Sequence, residues 1–270
     1  MAMRLWVLGS GTLIPHAERG APAFLAELGS SSLLLDCGSG TLRALARLGL
    51  PWQGLTHLLI THFHTDHVGD LAALLFAYRH GLTGPREEPL YLFGPPGLDE
   101  HLNLLSEAHG PFVLDPGFPL KSKELPAGSD WTDPGGQVRI KTWKTEHTAG
   151  SVAFRVETKS GALGYAGDTG PCPGLGPFFQ GCQVLVAECS HPDGQGSDNH
   201  LTPTTLAEMA GLSTPELLVT VHVYPPLEPD DVPGLLAEAG YGGRVIAGRD
   251  GLCLEWMKEG VIARPPTGDV

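Results

Sequence analysis

A layered α/β fold is predicted for this chain by three observations. Apolar runs of strand length alternate with amphipathic stretches of helix length, and clusters of Gly and Pro punctuate them. With 270 residues, 41% hydrophobic and 17% charged, the chain is large enough to bury one substantial core, so residues 1–270 read as a single domain. The formal charge of -13 and a pI near 5.3 argue against broad attraction to nucleic acid or anionic membranes and favour a small substrate. Five cysteines, Cys37, Cys172, Cys182, Cys189 and Cys253, lie far apart without a C-x-x-C pair, which points to a reducing compartment, the cytoplasm. The stretch Met1 to Pro15 is interrupted by Gly9 and Gly11 and does not read as a signal peptide or membrane span.

Taken in order, Arg4 to Gly9 reads as a buried strand, and Gly9-Ser10-Gly11-Thr12 as a turn where backbone passes close to another segment. Phe24 to Leu28 and Ser32 to Asp36 form a hairpin about Gly29-Ser30-Ser31, and Thr41 to Leu48 a short helix ended by Gly49-Leu50-Pro51. Leu55 to Thr61 is a strand, and Asp66 to Tyr78 an amphipathic helix. The strand Leu90 to Phe93 and helix Leu98 to Ala108 continue the alternation. Gly110 to Gly136, rich in Pro, Gly, Asp and Lys, is either an insertion over a site or a surface connection. Strands follow at Val138 to Thr145, Val152 to Glu157, Leu163 to Ala166 and Val184 to Glu188. The helix Thr204 to Gly211, strand Leu217 to Val221 and helix Pro229 to Ala239 precede the strands Arg244 to Ala247 and Leu252 to Trp256. A frayed tail is expected over about 261–270.

Within this frame, His62, Phe63, His64, Thr65, Asp66 and His67 are hard to explain as packing, because imidazoles and carboxylates are costly to bury without partners. A metal ion supplies the partner. His62 and His64 alternate about Phe63 and share a direction in extended chain, whereas Asp66 and His67 open the next element and face another point, which suits two ions. Further candidates stand at later strand ends, where loops converge: His147, Asp168 in Gly-Tyr-Ala-Gly-Asp-Thr-Gly, Glu188, His200 and His222. Singly each is weak, since a strand-end His is commonly a satisfied core residue and Gly-Asp-Thr-Gly commonly an Asx turn.

The order His62-x-His64-x-Asp66-His67, then His147, Asp168 and His222, resembles the metallo-β-lactamase fold superfamily. The likeness runs from Leu35-Asp36-Cys37-Gly38 to Gly248-Arg249-Asp250-Gly251. It implies a four-layer αββα sandwich, with His62, His64 and His147 on one divalent ion, Asp66, His67 and His222 on a second, and Asp168 bridging them. Zinc suits such imidazole-rich ligands first, and manganese or iron occupies similar sites. The chain is also similar to the ribonuclease Z branch, through Glu188 in Val-Ala-Glu-Cys and His200 in Asn-His-Leu-Thr-Pro. That likeness implies His200 as general acid or oxyanion stabiliser, oriented by Glu188, so Asp66, Glu188 and His200 are the expected catalytic residues. The alternative for Asn199 to Thr202 is a helix start signal.

One departure bears on substrate. Ribonuclease Z enzymes carry a long tRNA-binding arm, commonly between the positions matching His147 and Asp168, and here that interval is filled by two strands. With the acidic total, this argues against precursor tRNA. The expected activity is hydrolysis of a small or cyclic phosphodiester, the ions lowering the pKa of a bridging water. A lactone, β-lactam, thioester or sulfate ester is the alternative substrate, and a non-hydrolytic accessory role in cofactor biosynthesis a further one. No membrane partner is expected, and the resemblance implies a homodimer. His57, His80, His101 and His109 lack ligand spacing, and His16 and His191 lie in strand-end loops as weaker candidates. Phe112, Phe118, Trp131, Phe178 and Phe179 read as packing residues.

Overall fold

The computed structural model describes residues 3–196 and 198–265. Among these, the strands form two sheets. The first contains β1 (Met3–Gly9), β2 (Ala23–Leu28), β3 (Ser31–Leu35), β4 (His57–Leu59), β5 (Leu90–Gly94), β6 (Leu120–Glu124), β14 (Cys253–Met257) and β15 (Gly260–Arg264), in the order β15-β14-β1-β2-β3-β4-β5-β6. The second contains β7 (Asp130–Thr132), β8 (Arg139–Lys144), β9 (Val152–Thr158), β10 (Gly161–Tyr165), β11 (Val184–Glu188), β12 (Leu217–Val221) and β13 (Val245–Ala247), in the order β13-β12-β11-β10-β9-β8-β7.

Side-chain alternation stacks the layers. Leu5 and Val7 of β1 face the second sheet while Leu8 turns to the helices, and Val184 and Val186 of β11 face inward while Leu185 and Ala187 turn outward. Helices α1 (Thr41–Arg47), α2 (Thr65–Val68), α3 (Leu71–Gly81) and α4 (Leu98–His109) bury Leu45, Leu74, Tyr78 and Leu102 against the outer face of the first sheet. Helices α5 (Leu175–Phe178), α6 (Pro203–Ser213) and α7 (Val232–Glu238) bury Leu175, Leu206 and Leu236 against the second. The result is the four-layer αββα sandwich. Among the described residues, no helix is long and apolar enough to cross a membrane.

The predicted hairpin is present, with Leu28 opposite Ser31 and Gly29 at φ 69. The close approach expected at Gly9 is real: a Cβ there would lie 1.9 Å from the Ala21 carbonyl oxygen. Three expectations are corrected. The single helix Asp66 to Tyr78 is broken into α2 and α3, because Cys37 pins the junction: its N–H donates to His67 O at 2.8 Å and its carbonyl accepts Asp70 N–H at 2.9 Å. Residues 110–136 are more than a surface connection, since they contribute β6 to the edge of one sheet and β7 to the edge of the other. The frayed tail does not begin at 261, because β15 pairs antiparallel with β14 through Arg264; residues 266–270 lie outside the described residues.

Strands β3 to β6 are mutually parallel, as are β10 to β13. Their C-terminal ends deliver Asp36, the His62 loop, Asp168, Glu188 and His222 to one rim of the sandwich. Open α/β sheets place ligands beyond the carboxyl ends of such strands.

Candidate metal centre

The loop after β4 turns into α2 at His64, whose extended backbone (φ -61, ψ 147) starts the helix. His62 and His64 therefore sit on one side of the turn, their rings 4.7 Å apart, and His147 joins them from the end of β8 with its Nε2 3.0 Å from His64 Nδ1. These three form one group able to hold a metal ion; Asp66, His67, Asp168 and His222 form a second. His222 Nε2 lies 3.2 Å from Asp66 Oδ2, and His67 Nε2 3.8 Å from the same oxygen. Asp168 faces both groups: its Oδ1 is 3.4 Å from His67 Nε2, and its Oδ2 is 3.4 Å from His222, 3.8 Å from His147 and 4.0 Å from His62.

Four of the rings are tied by Nδ1 so that Nε2 points inward. His67 donates Nδ1–H to Asp36 at 2.6 Å, and His147 donates to Asn199 O at 3.0 Å. His62 and His222 place Nδ1 3.0 Å from the hydroxyls of Thr61 and Ser190. Such outer partners fix ring orientation and tautomer, the arrangement expected of metal-ligating histidines. The fit to a cation shows in the inner atoms: His62 Nε2 and His67 Nε2 are buried without a hydrogen-bonding partner among the described residues. Buried, unpaired imidazole nitrogens converging with two carboxylates match the donor set of a divalent metal.

The electrostatics separate the two groups. Burial, reinforced by the His67 ring, drives His62 well below the ordinary imidazole range and keeps it a neutral donor. Burial opposes charge at His67 as well, but Asp168 and Asp36 override it and raise its pKa. Asp168 is held well below the usual carboxylate range by His222 and His67 in spite of its burial. The rim thus carries negative charge to which imidazoles supply the balance.

His200 and Glu188 stand beside this centre. Glu188 is 1% exposed and accepts His200 Nδ1–H at 2.9 Å, Thr169 N–H at 2.7 Å and Leu201 N–H at 3.2 Å. The ligand-type atoms of His147, Asp168 and His200 lie within 4.8 Å of one another. The helix start signal expected from Asn199 to Thr202 is present as well: Thr202 caps α6 in a reciprocal capping box with Thr205, and the His200 ring two residues earlier is left to the centre. All nine residues expected from the sequence, from His62 to His222, therefore meet at one rim. Sequence reasoning missed the supporting cast of Asp36, Thr61 and Ser190, whose pairing to ring nitrogens has no local signature. It also missed Tyr224, whose ring is 5.3 Å from His222 and 5.4 Å from His191; burial and then Asp66 push its phenol up to about 12. His191 is drawn in through that pair, 5.5 Å from His200.

Residues 17–203 match the family described as the metallo-beta-lactamase superfamily, and the chain belongs to it. It is accordingly a metal-dependent hydrolase, with divalent metal ions as cofactors. Among relatives, a ribonuclease Z from Mycobacterium sp. (strain KMS) is 31% identical over 243 residues, covering 83% of this chain and 85% of that one. Two solved structures share the fold. The metallo-beta-lactamase fold protein YhfI from Bacillus subtilis superposes with a TM-score of 0.80 at 23% identity, covering 94% of this chain and 99% of that one. The short form of human tRNase Z does so with a TM-score of 0.73 at 23% identity, covering 93% and 98%.

Proposed function

We propose that this hydrolase is a phosphodiesterase acting on a small or cyclic phosphodiester, with zinc as its ion. The observation that carries the reading is His200, fixed by Glu188 within reach of both metal-binding groups. On this reading His62, His64 and His147 hold one ion, Asp66, His67 and His222 the other, and Asp168 both. Two ions so held would supply an activated water at neutral pH and stabilise charge on the phosphoryl oxygens.

The protein's own groups do the rest. A phosphodiester leaves as an alkoxide that needs a proton, and His200 is placed to give one from Nε2 while Nδ1–H stays on Glu188. Burial opposes the imidazolium, but Glu188, with Asp168 and Asp66 beyond it, raises the His200 pKa and keeps that proton available. Asp66, buried in the first turn of α2, adds negative charge where the helix N-terminus is electropositive. The likeness to ribonuclease Z makes an RNA phosphodiester the competing substrate, and the net charge of -13 weighs against a long polyanion. The buried, unbridged cysteines support a reducing compartment, and we place the protein in the cytoplasm on that basis.

The test is a turnover panel of zinc-loaded protein on cyclic and linear phosphodiesters, precursor tRNA, lactones, β-lactams, thioesters and sulfate esters. Small phosphodiesters should be the best substrates. His200→Ala should lower kcat on them by about 10²- to 10⁴-fold while the metal content stays unchanged. Faster turnover of any other class overturns the reading.

A further inference from the structure

The turn between β13 and β14 sends one side chain across the rim to the opposite end of the chain. Asp250 Oδ1 accepts both the N–H and the hydroxyl of Ser10, each at 2.8 Å, and Oδ2 accepts the N–H of Gly20 at 2.7 Å. Gly11 N–H donates to Gly20 O at 2.9 Å, so Asp250 ties both ends of a closed loop. That loop reaches the centre through a backbone bond: the Ser10 carbonyl accepts His222 N–H at 2.9 Å.

His222 needs the bond because its backbone is left-handed, with φ 57, a region that a side chain with a Cβ rarely adopts without outside support. Ser190 supplies the other support, its hydroxyl donating to His222 O at 2.8 Å. Remove the Ser10 contact and the residue is free to relax to negative φ, which swings Nε2 away from Asp66 Oδ2 and Asp168 Oδ2. The histidines of the other group are tied elsewhere, His62 to Thr61 and His147 to the Asn199 carbonyl.

We infer that Asp250 is a positioning residue for His222, acting through Ser10, and that it sets the affinity of the ion held by Asp66, His67 and His222 without setting that of the other. The inference rests on the ligand assignment proposed above. A general structural role for Asp250 predicts instead that both affinities fall together or that neither moves.

The test titrates the metal-free full-length chain with Zn²⁺ against a chromophoric chelator. His222→Ala and His64→Ala identify which of two binding steps belongs to which ion. Asp250→Asn keeps the side-chain volume, yet whichever way its amide turns, its NH₂ group meets an N–H of Ser10 or Gly20. Its expected effect is a loss of about 10- to 100-fold in the affinity that His222→Ala abolishes, the size typical of outer partners of a metal ligand, with the other step unchanged. Ser10→Ala removes only the hydroxyl bond and should weaken the same step to a lesser degree; it carries the test if Asp250→Asn does not fold. Equal loss in both steps, or no change in either, overturns the inference. A wild-type chain that takes up a single ion overturns the ligand assignment itself, and the inference with it.

Discussion

At the scale of single residues, buried polar groups divide into those the centre uses and those the core merely tolerates. Asp36, fully buried, accepts Thr61 N–H at 2.8 Å, Tyr165 Oη–H at 2.6 Å and His67 Nδ1–H at 2.6 Å, so each donor compensates for its desolvation. His57, 3% exposed, is different in kind. It stacks on Tyr91 at 5.3 Å and meets the edge of Trp131 at 5.6 Å; only its Nδ1 has a partner, Thr56 Oγ1 at 2.8 Å. Burial lowers its pKa to about 4. The unfolded chain takes up a proton near pH 6.5 and the folded one does not until about 4, so folding stability is full above 6.5 and falls as pH drops through that window. Relative to His57→Phe, wild type should lose about 3 kcal/mol between pH 7 and 4, read from urea denaturation at each pH. Parallel pH profiles for the two proteins would refute this account. The sequence already marked His57 as a residue without ligand spacing. Its partner Trp131 sits 74 positions away, which is why its aromatic surroundings were not legible.

At the scale of elements, local pattern predicted most strands and helices, and failed where another segment intervened. The break between α2 and α3 is one such place. Apolar periodicity runs on through Gly69 and Asp70, but Asp70 N–H bonds to Cys37 O, and the Asp70 carboxylate accepts Gly40 N–H at 3.1 Å and Leu42 N–H at 3.0 Å. Gly38 makes this crossing possible, since a Cβ there would lie 2.1 Å from the Asp66 carbonyl oxygen. Gly38→Ala should therefore destabilise the fold by about 2 to 3 kcal/mol in chemical denaturation, as overpacking against immovable backbone does. A change within a few tenths would show that the junction can shift. The strand β6 escaped notice for the opposite reason: Leu-Lys-Ser-Lys-Glu carries charge because it is a sheet edge, where lysines block pairing with other chains.

At the scale of the whole molecule, the two halves of the sandwich meet at the centre. Its first group draws on α2's loop and β8's end, and its second on α2, β10 and β12. Because ligands from both sheets converge there, bound ions stabilise the folded chain over the unfolded one. Chelation should lower the unfolding free energy, by about 4 kcal/mol where free metal exceeds Kd a thousandfold, with recovery of Tm on adding Zn²⁺. An unchanged Tm would mean that the ions contribute nothing to holding the sheets together. By itself, the sequence pointed to a metal centre and, through the family it resembles, to the histidines and aspartates proposed to hold the ions. Those residue types are costly to bury without partners, and six positions of chain bring four of them together. The tertiary structure alone decided how the rings are aimed, through Asp36, Ser190, Asn199 and the Asp250 strut. Those contacts join residues far apart in the chain, and hydrogen-bond geometry across such separations leaves no periodicity in the sequence to read.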